Sequence, residues 1–345
     1  MTSSPLDRRS LLRLAALSVV AAGCRGPSGP VDPTVRASAS AAPPRSARPS
    51  LSPSGSSVRY VPFAGEALPN LKRAAADFVQ MLVTRSPGQP PEEVLSGATA
   101  LVAPEFSAQA ALRVAAPLFA EQSSAGQIVF PQLSGLLPLG SGATSAGVMV
   151  VVRQRLTSKN DRSKDVVRVL DVRLRVVQGV WQVVELVTAG GEPVDRPRDL
   201  PPEIVAVLDD PRIELPDTCR WDVHAGRVSP DLIAVLAAAA AVTPVAVTVM
   251  RTGHPQNVFG TARISNHTQG LAVDLWRAGG QPVVSSGAVT GAAHDALLAA
   301  FADPRTHQTG SPPGSDLDGS GRRSFTDLVH RDHLHLAVGA STVGG

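Results

Sequence analysis

Leu170, Val172, Leu174 and Val176 alternate with Asp171, Arg173 and Arg175. A period of two held over that length commits the stretch to a β-strand with one apolar face. A Gln178-Gly179 turn follows, and residues 181–187 complete a hairpin with it. Residues 148–156 read as a further strand. Upstream the period is helical: Leu71, Ala75, Phe78, Val79 and Leu82 fall on one stripe, with Asn70 as the expected N-cap, and more helical material runs to about Phe119. Helices followed by a curved antiparallel sheet predict an α+β domain over residues 58–190. It has no histidine and no cysteine, and its acids are expected on solvent faces or in loops. The region therefore reads as a non-catalytic accessory or partner-binding module.

Residues 191–202 form a Gly- and Pro-rich linker, and a second domain is expected over 203–345. Ser229-Pro230 is an N-cap and first-turn pair opening a helix with Leu232, Val235, Leu236 and Ala239 on its buried face. Residues 245–250 predict a strand, 292–301 a helix and 333–338 the final strand. Residues 303–328 read as a flexible loop rimming a cleft. Within it Asp316-Leu317-Asp318 faintly suggests a calcium loop, without the distal Glu such a loop needs.

The 345 residues are 43% apolar and only 3% aromatic, enough for a core or two but thin in large rings. The formal charge is +3, and two of those charges come from Arg8, Arg9 and Arg13 against Asp7. No basic stripe interleaved with aromatics accompanies them, so nucleic acid is not an expected partner. Two cysteines, Cys24 and Cys219, exclude a disulfide framework and a thiolate zinc cluster. Cys219 reads as a small buried hydrophobe. After residue 23 no apolar run approaches the roughly 20 residues a spanning helix needs.

Residues 1–23 have the layout of an export signal: a charged segment, a short apolar stretch and small residues before Cys24. Arg8-Arg9 followed by Leu11-Leu12 resembles a twin-arginine signal, and Ala21-Ala22-Gly23-Cys24 resembles the lipobox of bacterial lipoproteins. That resemblance implies acylation of Cys24 and a lipid anchor at the outer face of the cytoplasmic membrane. Residues 24–57, rich in Pro, Ser and Ala and free of aromatics, predict a disordered tether.

All eight histidines lie between residues 224 and 335. Ser265-Asn266-His267-Thr268-Gln269-Gly270-Leu271-Ala272-Val273-Asp274 sets a His and an Asp seven positions apart across a turn of small residues, and Asp332-His333-Leu334-His335 ends the chemistry-bearing region. On a strand His333 and His335 project to one face, with Leu334 and Leu336 toward a core. Two nitrogen donors on one face and a carboxylate from a neighbouring strand make a three-ligand site with an open fourth position, the composition of catalytic zinc. His254 and His330 read as rim or hydrogen-bonding residues, and His224, His294 and His307 as ordinary.

The pair Ser-x-His-x-x-Gly-x-Ala-x-Asp and His-x-His is similar to the motif set of the zinc peptidases that join lysostaphin, D-Ala-D-Ala carboxypeptidases and the hedgehog domain. It looks most like the D-alanyl-D-alanine carboxypeptidase branch. The likeness covers about residues 200–340 and implies an α+β domain with a small antiparallel sheet. It also implies Zn²⁺ held by His267, Asp274 and His335, Arg251 aimed at the scissile carbonyl or a substrate carboxylate, and Ser265 against the substrate backbone. Peptidoglycan stem peptides are the implied substrate. Carboxypeptidases of that branch take their base from a Glu three positions before the last histidine, yet residues 215–345 contain no Glu. Asp332 stands there, and His333 is the alternative base and the preferred one, Asp332 being free to orient a neighbour instead. The missing Glu keeps open a catalytically inactive, zinc-containing wall-binding or scaffold module. The helix-then-sheet order of residues 58–190 resembles the nuclear-transport-factor-like (cystatin-like) cone, which leaves room for a protein partner there.

Overall fold

In a computed structural model, residues 59–140, 142–284 and 289–340 are described. The export signal, Cys24 and the tether lie outside them. The first half opens with α1 (Pro69–Leu82), α2 (Pro91–Ser96), α3 (Ala108–Ala115) and a 3₁₀ turn at Ala116–Phe119. Asn70 is not the cap of α1. Leu68 holds that position in the left-handed region (φ 49°), and Pro69, whose ring presets a helical φ, starts the helix. Four strands follow: β1 (Ser123–Leu137), β2 (Ser145–Thr157), β3 (Ser163–Val177) and β4 (Val180–Thr188). They form an antiparallel meander in chain order, with β-bulges in β1 at Ile128/Phe130 and Leu133/Gly135.

One face of this sheet packs Val148, Val150, Leu170 and Val172 under Leu71, Phe78 and Leu82 of α1. The other face is covered as well. Met149, Val151 and Val169 meet Val249 of the second half, and the Phe130 ring stacks on Trp276 with centroids 4.8 Å apart and planes 15° off parallel. Double coverage explains the unbroken apolar run Val148–Val152 in β2, which an edge or one-sided strand would not tolerate in water.

The same coverage corrects the expectation for the acids. Asp171 is the cross-strand partner of Met149, so it points to the second face and is fully buried. Burial pushes its carboxyl up to about 7, against the pull of Arg173 2.7 Å away. The folded chain thus holds this proton more tightly than the unfolded chain, whose Asp titrates near about 3.9. Asp171 therefore favours folding most below that pH, and its contribution is lost as pH rises toward 7. Denaturant melts of Asp171→Asn at about pH 4.5 and about pH 7.5 should show a weaker fall in stability than wild type over that window. An unchanged fall would assign the pH dependence elsewhere.

The second half adds α4 (Pro202–Asp209), β5 (Ile213–Glu214), α5 (Asp217–His224), α6 (Pro230–Val242) and β6 (Val245–Val249). It continues with β7 (Ala272–Ala278), β8 (Gln281–Pro282), α7 (Gly291–Ala302), β9 (Thr306–Ser311) and β10 (Ser324–Thr326). A 3₁₀ turn at His330–Asp332 leads into β11 (Leu334–Val338). The sheet runs β10-β9-β11-β7-β6-β5, with β8 on β7. It is mostly antiparallel, but β5 pairs β6 and β9 pairs β10 in parallel. The span 303–328 is not all loop, since it contains β9 and β10. Its Asp316 and Asp318 carboxylates accept backbone N–H groups of their own turns. One face of this sheet carries Leu275, Leu334 and Leu336 against Leu232 and Leu236 of α6 and Leu297 of α7. Cys219 is buried beside it, its thiol raised well above its ordinary pKa by burial. The architecture is α+β, and no helix among the described residues is long and apolar enough to cross a membrane.

Candidate metal centre

Alternation places the site. Leu334 and Leu336 of β11 and Val273 and Leu275 of β7 face the helices, so His335 and Asp274 face the other way. They are direct register partners on adjacent strands. On the far side of β11 the partner of His335 is Gly310. A side chain there would strike Phe325 and His330, so only glycine leaves room for both rings beside His335. His267 arrives from a tight turn. Gly270 N–H donates to the His267 carbonyl at 2.8 Å, and Gly270 takes φ +72° where a Cβ would run into the Arg227 carbonyl.

Three donor atoms meet there. His267 Nε2 lies 3.1 Å from Asp274 Oδ1 and 3.1 Å from His335 Nδ1, which is itself 3.0 Å from Asp274 Oδ1. His267 Nδ1 faces the Met250 carbonyl at 2.7 Å. A carbonyl only accepts, so Nδ1 carries a proton, and Nε2 is the ring atom turned toward the carboxylate oxygen. Burial pushes His335 down to about 4 against the pull of Asp274, which keeps its imidazole neutral. Burial would raise Asp274, yet His267 and His333 beside it hold the carboxyl well below the usual carboxylate range. A neutral imidazole at His335 and an ionised carboxylate at Asp274, both buried, are the protonation states of metal ligands.

His254, His267 and Asp274 form a cluster that could hold a metal ion, with ligand atoms within 4.8 Å of one another. His254 stacks on His267, centroids 4.0 Å apart and planes 13° from parallel, whereas His335 meets His267 at 62°. Lone pairs of stacked parallel rings point side by side and do not converge on one ion. His335 therefore closes the tighter triangle, and His254, whose Nδ1 donates to the Pro255 carbonyl, covers one side of His267.

His333 and Asp332 stand beside this triangle in distinct roles. Asp332 belongs to the 3₁₀ turn, and both its oxygens are engaged: Oδ1 accepts from His333 Nδ1 at 2.7 Å, while Oδ2 takes Lys72 Nζ at 2.5 Å and the Leu133 N–H at 3.0 Å. His333 Nε2 is left free, 3.7 Å from Asp274 Oδ2. Arg251 is not among the residues lining the cleft, and its Nε donates to the Thr268 carbonyl at 2.9 Å. Ser265 lines the cleft, and its hydroxyl accepts the His267 N–H at 3.3 Å. His330, read as a rim residue, lies with its ring 4.7 Å from that of His333 and its Nδ1 2.7 Å from Asp327.

The three triangle residues line a cleft of about 350 Å³ together with Leu133–Leu137 and Met149 of the first sheet. Phe259 sits over Gly135 and Gly147, cross-strand partners whose missing side chains make the slot for its ring. Three contributors escaped the sequence reading. Lys72 gave a signal, since it falls on the apolar stripe of α1 at the spacing of Ala75, Ala76 and Val79. Glu66, its buried partner at 2.7 Å, and Gln132, on a strand whose period is broken by bulges, gave none. The chain matches no protein-family model, and no curated protein matches it.

Proposed function

We propose that the chain is a zinc peptidase of the cell wall, similar to the D-Ala-D-Ala carboxypeptidase, lysostaphin and hedgehog group, exported and anchored through Cys24. One observation carries the reading: the near-equilateral triangle of His267 Nε2, Asp274 Oδ1 and His335 Nδ1, with sides of 3.0 to 3.1 Å, in the lining of a cleft. Donors about 2.0–2.1 Å from a tetrahedral zinc lie roughly 3.3 Å apart. Zinc held there supplies polarisation of a carbonyl and an acidified water. His333 Nε2, left free because Asp332 takes Nδ1–H, receives and returns the proton. The cleft wall from β1 orients an extended stem peptide over the triangle. In this reading the first half has the cone-like fold and the second the peptidase-like fold.

Metal analysis of the full-length chain should find about one zinc per chain, and His267→Ala, Asp274→Ala and His335→Ala should each empty the site. Zinc that survives His335→Ala would move the centre to the His254 side of His267. Cys24→Ser should free the protein from membranes, and unchanged fractionation would remove the anchor from the proposal.

A further inference from the structure

The residue that aims the anionic ligand comes from the other half of the chain. Gln132 Nε2 of β1 donates to Asp274 Oδ2 at 2.6 Å, and both side chains are fully buried. A carboxylate only accepts, so the amide nitrogen is the atom in contact. The other end of the same carboxamide, Oε1, is buried without a partner. A buried polar atom left unsatisfied is a cost to the fold that leucine at this position would not carry. Packing therefore does not account for a glutamine here, and its one bond is to Asp274.

That bond splits the carboxylate. Oδ1 stands in the donor triangle, while Oδ2 is drawn away by Gln132 and faces His333 Nε2 at 3.7 Å. The next residue reinforces the arrangement: β1 is the edge strand of its sheet, and the Leu133 N–H leaves the sheet to reach Asp332 Oδ2. The bulge at Leu133/Gly135 lies directly beside this pair of contacts. Resting on the metal reading above, we infer that Gln132 is a positioning residue for the metal. It offers a single oxygen of Asp274 to the ion, so the centre is assembled by both halves of the chain and the first half is more than an accessory.

The test uses the full-length chain, zinc competition against a chromophoric chelator, and the visible spectrum of the cobalt(II)-loaded protein. Gln132→Leu should keep the near-UV circular dichroism of wild type and bind zinc about 10- to 100-fold more weakly. Its cobalt bands should weaken and shift as the released carboxylate brings both oxygens to the ion, a change that loss of packing alone would not produce. Wild-type affinity and an unchanged cobalt spectrum in Gln132→Leu would overturn the inference while leaving the metal reading intact. A wild-type chain that binds no zinc overturns both. If Gln132→Leu does not fold, Gln132→Asn, which keeps the amide but withdraws it by one methylene, serves the same comparison, and unchanged affinity there also overturns the inference.

Discussion

Lys72→Met should lower the folding free energy by about 3–5 kcal/mol, the loss found when one partner of a buried ion pair is removed and the other stays behind. Lys72 Nζ sits 2.7 Å from Glu66 and 2.5 Å from Asp332, with all three side chains closed off from solvent. It also lies 4.8 Å from the centre of the Phe130 ring. Methionine fills much the same space, so the change isolates the charge. Glu66 would keep the Tyr60 hydroxyl at 2.7 Å and the Phe63 N–H at 2.8 Å, and Asp332 would keep Leu133 N–H and His333. Lys72 is the charge both sets share, and its loss leaves Glu66 with neutral donors alone while Asp332 keeps His333.

The pH dependence gives a second reading of the same variant. Burial would raise Asp332, but Lys72 and His333 hold its carboxyl below the ordinary value. In wild type that group stabilises the fold above the unfolded pKa of about 3.9, and the contribution is lost as pH falls through the lower folded value. Without Lys72 the burial effect is less opposed and the carboxyl rises, so the variant should recover part of its deficit in mild acid. Adding Asp332→Asn should recover part of it at neutral pH, as coupled neighbours do in a double-mutant cycle. Urea melts at two pH values read both effects. A loss below about 1 kcal/mol would mean that the network is already relaxed by water.

How much of this was legible in the sequence follows from where the physics is local. The alternation in β3 and the 3.6-residue stripe of α1 are properties of neighbouring residues, and both elements are present, α1 with Leu68 rather than Asn70 as its cap. The small-residue turn between His267 and Asp274 and the alternation around His335 set three donors on one face, and those donors converge. What escaped depends on contacts distant in sequence. Asp171 looked solvated because one face of an antiparallel sheet usually is, and only the arrival of Val249 and Trp276 buries that face. β1 was not read at all, since its two bulges break the period and Pro131 interrupts it. With β1 went Gln132. Lys72 was visible as a cation on an apolar stripe, but its meaning lies 260 residues away in Asp332.

His333→Ala should keep zinc and fold and lose about 10²- to 10⁴-fold in hydrolysis of a D-Ala-ended or crosslinked stem peptide, the range a positioned proton shuttle contributes. Two groups compete for that role, and their bonding separates them. Both Asp332 oxygens are engaged: one holds His333 Nδ1 at 2.7 Å and the other holds Lys72 and the Leu133 N–H. A proton taken up by Asp332 would weaken its pairing with the buried Lys72 ammonium. His333, by contrast, has its Nδ1–H fixed by Asp332, which turns Nε2 to the side of Asp274 and the cleft. Asp332→Asn should accordingly cost less than His333→Ala, because an amide oxygen can still accept from Nδ1 and preserve the tautomer. A larger loss from Asp332→Asn would place the shuttle at Asp332 instead. A wild-type chain that is loaded with zinc, cleaves no wall peptide and still binds wall material in a His335-dependent way would instead be a binding module. In that case His333 serves only to hold Asp274, and His333→Ala should weaken zinc binding rather than spare it.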